Sequence, residues 1–135
     1  MFLDTNVISE TLRPSPEPIV LDWLVRHDAE IALSSVVIAE LAFGIHKLRP
    51  DRRAKRLMHG LDAWRKRFAG RIHAFTEDAA LIYGQLMGER ARSGRPLSAQ
   101  DGMIAAIASE HGCPLATRNL RDFQDTGIQV VNPWG

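Results

Sequence analysis

Met1-Phe2-Leu3-Asp4-Thr5-Asn6-Val7-Ile8-Ser9-Glu10 opens the chain with a short apolar run that ends abruptly on a carboxylate. Three apolar residues followed by Asp4 read as a buried strand, and Thr5-Asn6 as a turn into a helix from Val7 to Leu12. Arg13-Pro14-Ser15-Pro16-Glu17-Pro18 stops that helix, because a proline disfavours helical backbone in the residue before it. A second helix is expected from Ile19 to His27, and Ile31-Ala32-Leu33 reads as a second short strand. Ser34 or Ser35 can cap the next helix, in which Val37, Leu41, Gly44, Ile45 and Leu48 recur at helical spacing with Glu40 beside the stripe.

The same alternation continues to the end. Asp51 to Phe68 is a charged amphipathic helix, with Leu57, Met58, Leu61 and Trp64 as its apolar line. Ile72 to Phe75 reads as a strand, Thr76 caps a helix running to Arg92, and Ser98 opens another that Gly112 closes. Leu115-Ala116-Thr117 and Ile128 to Val131 are the last strands. Short strands alternating with helices predict one α/β domain over 1–135, a central parallel sheet flanked by helices on both faces.

Composition narrows the function classes. The chain has 135 residues, 45% hydrophobic and 24% charged, which suits one ordinary globular domain. A net charge of +1 argues against a general nucleic-acid coating protein, so any such contact is local. No stretch has the length of uncharged apolar sequence that a membrane span needs, and nothing resembles a secretory leader. The single cysteine, Cys113, cannot pair internally and reads as a buried small residue, so a cytoplasmic location is expected. The five histidines lack zinc-site spacing, and no glycine-rich phosphate loop occurs.

The acids fall where an α/β fold places its ligands, beyond the carboxyl ends of the strands. Asp4 follows strand one, Glu40 lies in the first half of a helix, and Asp101 sits in a first helical turn. Asn119 and Asp122 follow the strand ending at Thr117. Taken singly, each has a structural explanation: a cap for Asp4, a solvent-facing position for Glu40, and a capping box for Ser98-Ala99-Gln100-Asp101. Taken together, carboxylates in one cleft repel and call for protonation or a cation. Oxygen-only donors favour Mg²⁺ or Mn²⁺, one ion or two, which would activate water against a phosphodiester.

Four segments in order carry a family resemblance: Phe2 to Glu10, Ser34-Ser35-Val36-Val37-Ile38-Ala39-Glu40-Leu41, Ala99 to Ala106, and Ala116-Thr117-Arg118-Asn119-Leu120-Arg121-Asp122-Phe123. Together they resemble the PIN-domain nucleases, and within them the VapC-type toxins of type II toxin–antitoxin pairs. The closing Val131-Asn132-Pro133-Trp134 is similar to the FitB-like branch. The resemblance implies a metal-dependent endoribonuclease with Asp4, Glu40 and Asp101 as catalytic and metal-holding acids. It also implies an RNA substrate, a homodimer, and a cognate antitoxin through which a hetero-oligomer binds operator DNA. The family's fourth acidic position falls on Asn119, an amide, and Asp122 is the candidate to supply the missing charge. Thr5, Asn6 and Thr117 are candidates to hydrogen-bond the metal-bound groups.

Arg118, directly before Asn119, is the candidate phosphate contact. Arg52, Arg53, Lys55, Arg56, Arg65, Lys66, Arg67 and Arg71 are either a solvated face or a phosphate-steering one. The helices from Ile19 to His27 and from Asp51 to Phe68 offer apolar lines for an antitoxin helix. Two other readings remain open: a PIN fold serving as an inactive binding subunit, and a nuclease of RNA processing or of DNA.

Overall fold

The computed structural model describes residues 1–135. Its elements are β1 (Phe2–Leu3), α1 (Thr5–Thr11), α2 (Pro18–Arg26), β2 (Leu33–Ser34), α3 (Ser35–His46) and α4 (Arg52–Arg67). They continue with β3 (Ile72–His73), α5 (Glu77–Arg92), α6 (Ala99–Glu110), β4 (Leu115–Ala116) and β5 (Val130–Val131). Single 3-10 turns cover Asp28–Glu30 and Arg121–Phe123. Each helix starts where a side chain or a proline permits. Asp4, Ser34, Asp51, Thr76 and Ser98 each accept a backbone N–H at a helix start, and Pro18 occupies the first position of α2.

All strand pairs are parallel, β1 with β4, β4 with β5, and β2 with β3. A parallel bridge from Phe2 to Ala32, with Ala32 N–H donating to the Met1 carbonyl at 2.8 Å, joins the two groups into the order β3-β2-β1-β4-β5. The chain moves one way from β1 to β3 and then returns past β1 to β4. The right-handed crossover rule therefore sets α1 to α4 on one face and α5 and α6 on the other. The helix contacts fit this, since α3 touches α1 and α4 while α5 packs on α6, and α3 also meets α6. One cluster of 23 buried hydrophobic residues draws on both helix layers and the sheet, so there is one core and one domain.

The strands are shorter than the apolar runs suggest. Ile72 to Phe75 forms ladder only at Ile72 and His73, because its neighbour β2 turns into α3 after Ser34 and leaves Ala74 and Phe75 without a partner strand. Ile31 to Leu33 shifts to Leu33–Ser34, with Ala32 serving only in the bridge. Ile128 to Val131 reduces to its last two residues, after the left-handed turn at Gly127. The first helix begins at Thr5 rather than Val7, because Asp4 is itself the cap. Cys113 is half-buried rather than buried, its Sγ 3.4 Å from the His111 carbonyl.

Candidate active site

The order β3-β2-β1-β4-β5 reverses direction between β1 and β4, and open α/β sheets bind ligands beyond the carboxyl ends of such a pair. Asp4 leaves β1 at that point and Thr117 leaves β4, with the Asp4 N–H donating to the Ala116 carbonyl at 2.8 Å. Their side chains meet there: the Thr117 hydroxyl donates to Asp4 Oδ2 at 2.7 Å. Asp4 Oδ1 accepts the Thr5 N–H at 2.8 Å, so Asp4 caps α1 while facing the cleft. Asn6 Nδ2 bridges the pair, lying 3.4 Å from Asp4 Oδ2 and 3.3 Å from the Thr117 hydroxyl. Only 4% of Asp4 is exposed, and burial pushes its carboxyl above the ordinary value. The hydrogen bonds from Thr117 and Thr5 pull back against this, while the charge of Asp122 adds to it.

Glu40 reaches the same place from α3. Its Oε1 accepts the Thr5 hydroxyl at 3.0 Å, so Thr5 links the first two acids, one by its amide and the other by its side chain. Burial raises the Glu40 pKa and the charge of Asp4 raises it further. Asp101 enters from α6, in the turn capped by the Ser98 hydroxyl, which accepts the Asp101 N–H at 3.1 Å. Its carboxyl is pushed up to about 6, first by burial and then by the charges of Asp4, Asp122 and Glu40, with the Ser98 hydroxyl opposing. A pocket of about 430 Å³ is lined by Asp4, Thr5, Asn6, Glu40, Asp101, Arg118 and Asn119 together with Ser9, Glu10, Arg13 and Trp134. The structure thus brings the three acids together with all three hydrogen-bonding neighbours expected from the sequence.

Asn119 and Asp122, the two candidates for the fourth position, are placed differently. Asn119 lines the pocket, its N–H donating to the Thr117 hydroxyl at 3.0 Å. Asp122 stands outside the lining on the 3-10 turn, yet its charge reaches both Asp4 and Asp101. Arg90 of α5 sets the position of that turn. This buried guanidinium, 7% exposed, donates to the carbonyls of Gln124 at 2.7 Å and Asp122 at 3.2 Å.

As the side chains stand, no three His, Cys, Asp or Glu residues close around one point as a ready-made ligand cage. The donor set nevertheless fits a hard divalent ion. It is all oxygen, it is held by hydroxyls and amides, and burial raises the pKa of each acid, with the charge of Asp4 adding to the rise at Glu40 and Asp101. Mg²⁺ in particular keeps several waters and uses one or two carboxylates, which asks less than a closed cage of protein ligands.

Sequence reasoning passed over Glu10, Arg13 and Trp134. Glu10 is 4% exposed and accepts Arg13 Nη1 at 2.9 Å and the Glu17 N–H at 3.0 Å. The Glu17 amide first, then Arg13 and Arg118, hold its carboxyl below the usual range. The i,i+3 spacing of Glu10 and Arg13 was visible, but an acid on a short helix gives no sign that it is buried. The basic run also separates. Arg65 pairs with Asp62, Arg67 with Asp28, and Arg71 donates to the carbonyls of Asp28 and Ile31. Arg53 and Arg56 instead line a groove of about 460 Å³ that shares Thr5, Ser9, Arg13 and Glu40 with the acid pocket.

Comparison with known proteins points the same way. A family model described as the PIN domain matches residues 1–129. The chain is 39% identical to Toxin FitB of Neisseria gonorrhoeae, covering 99% of this chain and 98% of that protein. It is 37% identical to VapC ribonuclease Y4jK of Sinorhizobium fredii, covering 99% and 97%. Among solved structures it superposes on a chain of FitAB bound to an IR36 DNA fragment with a TM-score of 0.91 and 38% identity, covering 99% of this chain and 95% of that one.

Proposed function

The chain belongs to the PIN-domain family, and from that premise we propose that it is the toxin of a type II toxin–antitoxin pair, an endoribonuclease that uses Asp4, Glu40 and Asp101. The whole chain, 1–135, acts as one PIN domain. The observation that carries this reading is the convergence of three acids from β1, α3 and α6 on a single pocket, where burial raises the pKa of each and the charge of Asp4 adds to the rise at Glu40 and Asp101. A binding surface has no use for buried carboxylates that repel one another, whereas a site for a divalent cation does.

Asp4 and Asp101 would hold the ion directly, and Asn119 would meet it through water. The ion, Mg²⁺ or Mn²⁺, would lower the pKa of water and offset charge on the phosphodiester. Thr117, Thr5 and Asn6 keep the Asp4 oxygens in place, and Thr5 does the same for Glu40 Oε1. Glu40 Oε2 has no hydrogen bond within the chain and is the atom available to take a proton from the attacking water. Asp122 supplements the negative potential that Asn119 lacks. Arg118, at the pocket wall, takes a substrate phosphate.

The partner reading follows from a second groove, of about 430 Å³, between α2 and α4. It is lined by Leu24, Val25, Ile31, Ala63, Trp64 and Phe68, with Asp28 and Arg67 paired at its edge. An amphipathic helix of a cognate antitoxin suits such a surface. By analogy with the FitAB relative, the complex of a toxin homodimer with its antitoxin would sit on operator DNA through the antitoxin. No helix is long and apolar enough to cross a membrane, and the proposed site of action is the cytoplasm, where RNA is found.

The test is cleavage of a mixed RNA pool by antitoxin-free protein with Mg²⁺, with Mn²⁺ and with chelator, beside folded Asp4→Asn and Asp101→Asn. Metal-dependent cleavage that both variants lose by at least about 100-fold supports the reading, since even outer-shell changes cost 10–100-fold. Cleavage that survives both changes overturns the site. No cleavage under any condition favours a PIN-fold binding subunit.

A further inference from the structure

Arg118 is a cation in a pocket of acids, and it forms a salt bridge with none of them, although its charge acts on Glu10. The chain's ion pairs engage Arg13, Arg65, Arg67, Arg95 and His111, and Arg118 is in none. Its guanidinium rests instead over the indole of Trp134, with Cζ 5.0 Å from the ring centroid. A guanidinium held by a π face keeps its full charge and its donors, whereas a carboxylate would consume both.

The fold puts the two residues side by side. β4 and β5 run parallel with Ala116 opposite Val131, and the Thr117 N–H donates to the Val131 carbonyl at 2.9 Å. Arg118 and Trp134 therefore leave neighbouring strands at the same end. Asn132 then folds the tail back, its Oδ1 accepting the Trp134 N–H at 2.9 Å, behind the buried Pro133. The indole packs against the core and is the single hydrophobic residue lining the acid pocket. The Arg118 backbone is tied as well, its N–H lying 3.3 Å from Asn6 Oδ1. One further detail separates position from packing: the indole Nε1 is buried without a hydrogen-bond partner. The contact with Arg118 is therefore made by the ring face and not by the indole N–H.

We propose that Trp134 is a positioning residue that holds the Arg118 guanidinium at the wall of the acid pocket, where it grips a backbone phosphate of the RNA next to the one under attack. This deepens the nuclease reading and rests on it for the identity of the substrate. The Trp134 side chain makes no hydrogen bond to the acids and acts through Arg118. Its removal therefore weakens substrate binding and spares the chemical step.

The test measures binding of a single-stranded RNA of about 20 nucleotides in chelator, over a salt series, and KM and kcat on the same RNA with Mn²⁺. Arg118→Ala, Trp134→Leu, Trp134→Phe and the Arg118→Ala/Trp134→Leu pair are compared, each checked for folding by its thermal midpoint. Trp134→Met, which keeps apolar bulk without a π face, replaces the leucine variant if that one does not fold.

Arg118→Ala and Trp134→Leu are each expected to weaken binding and raise KM by about tenfold, with kcat changed less than about threefold. Each lowers the salt slope by about 0.7, one single-strand phosphate contact. The double variant is no weaker than either single one, and Trp134→Phe restores the wild-type slope. Wild-type affinity and slope in Trp134→Leu overturn the inference while leaving the nuclease reading intact. Additive losses in the double variant, or failure of Trp134→Phe to rescue, overturn it too. The binding arm needs no cleavage, so it decides the inference even if the nuclease assay fails. Wild-type protein that neither binds RNA in chelator nor cleaves it with Mn²⁺ overturns both.

Discussion

Asp101 and Glu10 are acids within one pocket whose environments push them in opposite directions, and each direction has a consequence for stability. Asp101 holds its proton up to about pH 6 in the folded chain against an unfolded value of 3.8. Between those values the folded state binds more protons, so metal-free stability falls as pH rises from about 4 to about 6 and then levels off. Asp101→Asn removes this loss, and its thermal midpoint should exceed that of the metal-free parent by about 3–5 °C at pH 8 but not at pH 4. A calorimetric scan at the two values decides it, and a lower midpoint for the variant at pH 8 would contradict the assigned burial and repulsion. Glu10 behaves oppositely, because the Glu17 amide and Arg13 favour its charged form. Its stabilisation is present above about pH 4.5 and is lost as pH falls through its depressed folded value. Glu10→Gln should therefore lower the midpoint at pH 7, and by progressively less as pH falls below about 4.5.

At the scale of elements, the site depends on two fixtures that lie away from it. Ser98 caps α6 and orients the turn bearing Asp101. Ser98→Ala should cost about 1 kcal/mol in urea unfolding and reduce cleavage along with it. Arg90 fastens the turn carrying Asp122 to α5 by two carbonyl contacts. Arg90→Met removes the donor from both part-buried carbonyls, and the expected loss is about 1–2 kcal/mol. A loss below about 0.5 kcal/mol would mean that water replaces the guanidinium. Helices were readable in the sequence to within a residue or two, because caps and prolines act locally. Strands were readable as apolar runs but not in length, since a ladder ends where its neighbour ends, as Ala74 and Phe75 illustrate.

For the whole molecule, cation binding and folding are coupled through the acid pocket. Carboxylates must be deprotonated to take a metal, so Mn²⁺ should raise the thermal midpoint more at pH 8 than at pH 5, and Asp4→Asn should abolish the difference. An equal shift at both values would place the ion elsewhere. The groove between α2 and α4 lies on different residues from the acid pocket. Val25, 77% exposed at its rim, allows the two surfaces to be separated. Val25→Glu should weaken antitoxin capture by at least about tenfold in a titration while leaving RNA cleavage by the free chain intact.

The sequence by itself determined the alternation of strands and helices and the caps that start the helices, while the acids were nominated by a family resemblance. Each of these is written in residues that are neighbours along the chain or lie within one helical turn. Tertiary structure alone decided that Thr117 would bond Asp4 across 113 positions and Thr5 would bond Glu40 across 35. It also decided that Glu10 would be buried, that Arg67 would pair while Arg118 would stay free, and that the chain's last turn would return to the cleft. The reason is the order in which the strands lie side by side. That order brings the ends of β1 and β4 together, and no local pattern of side chains records it.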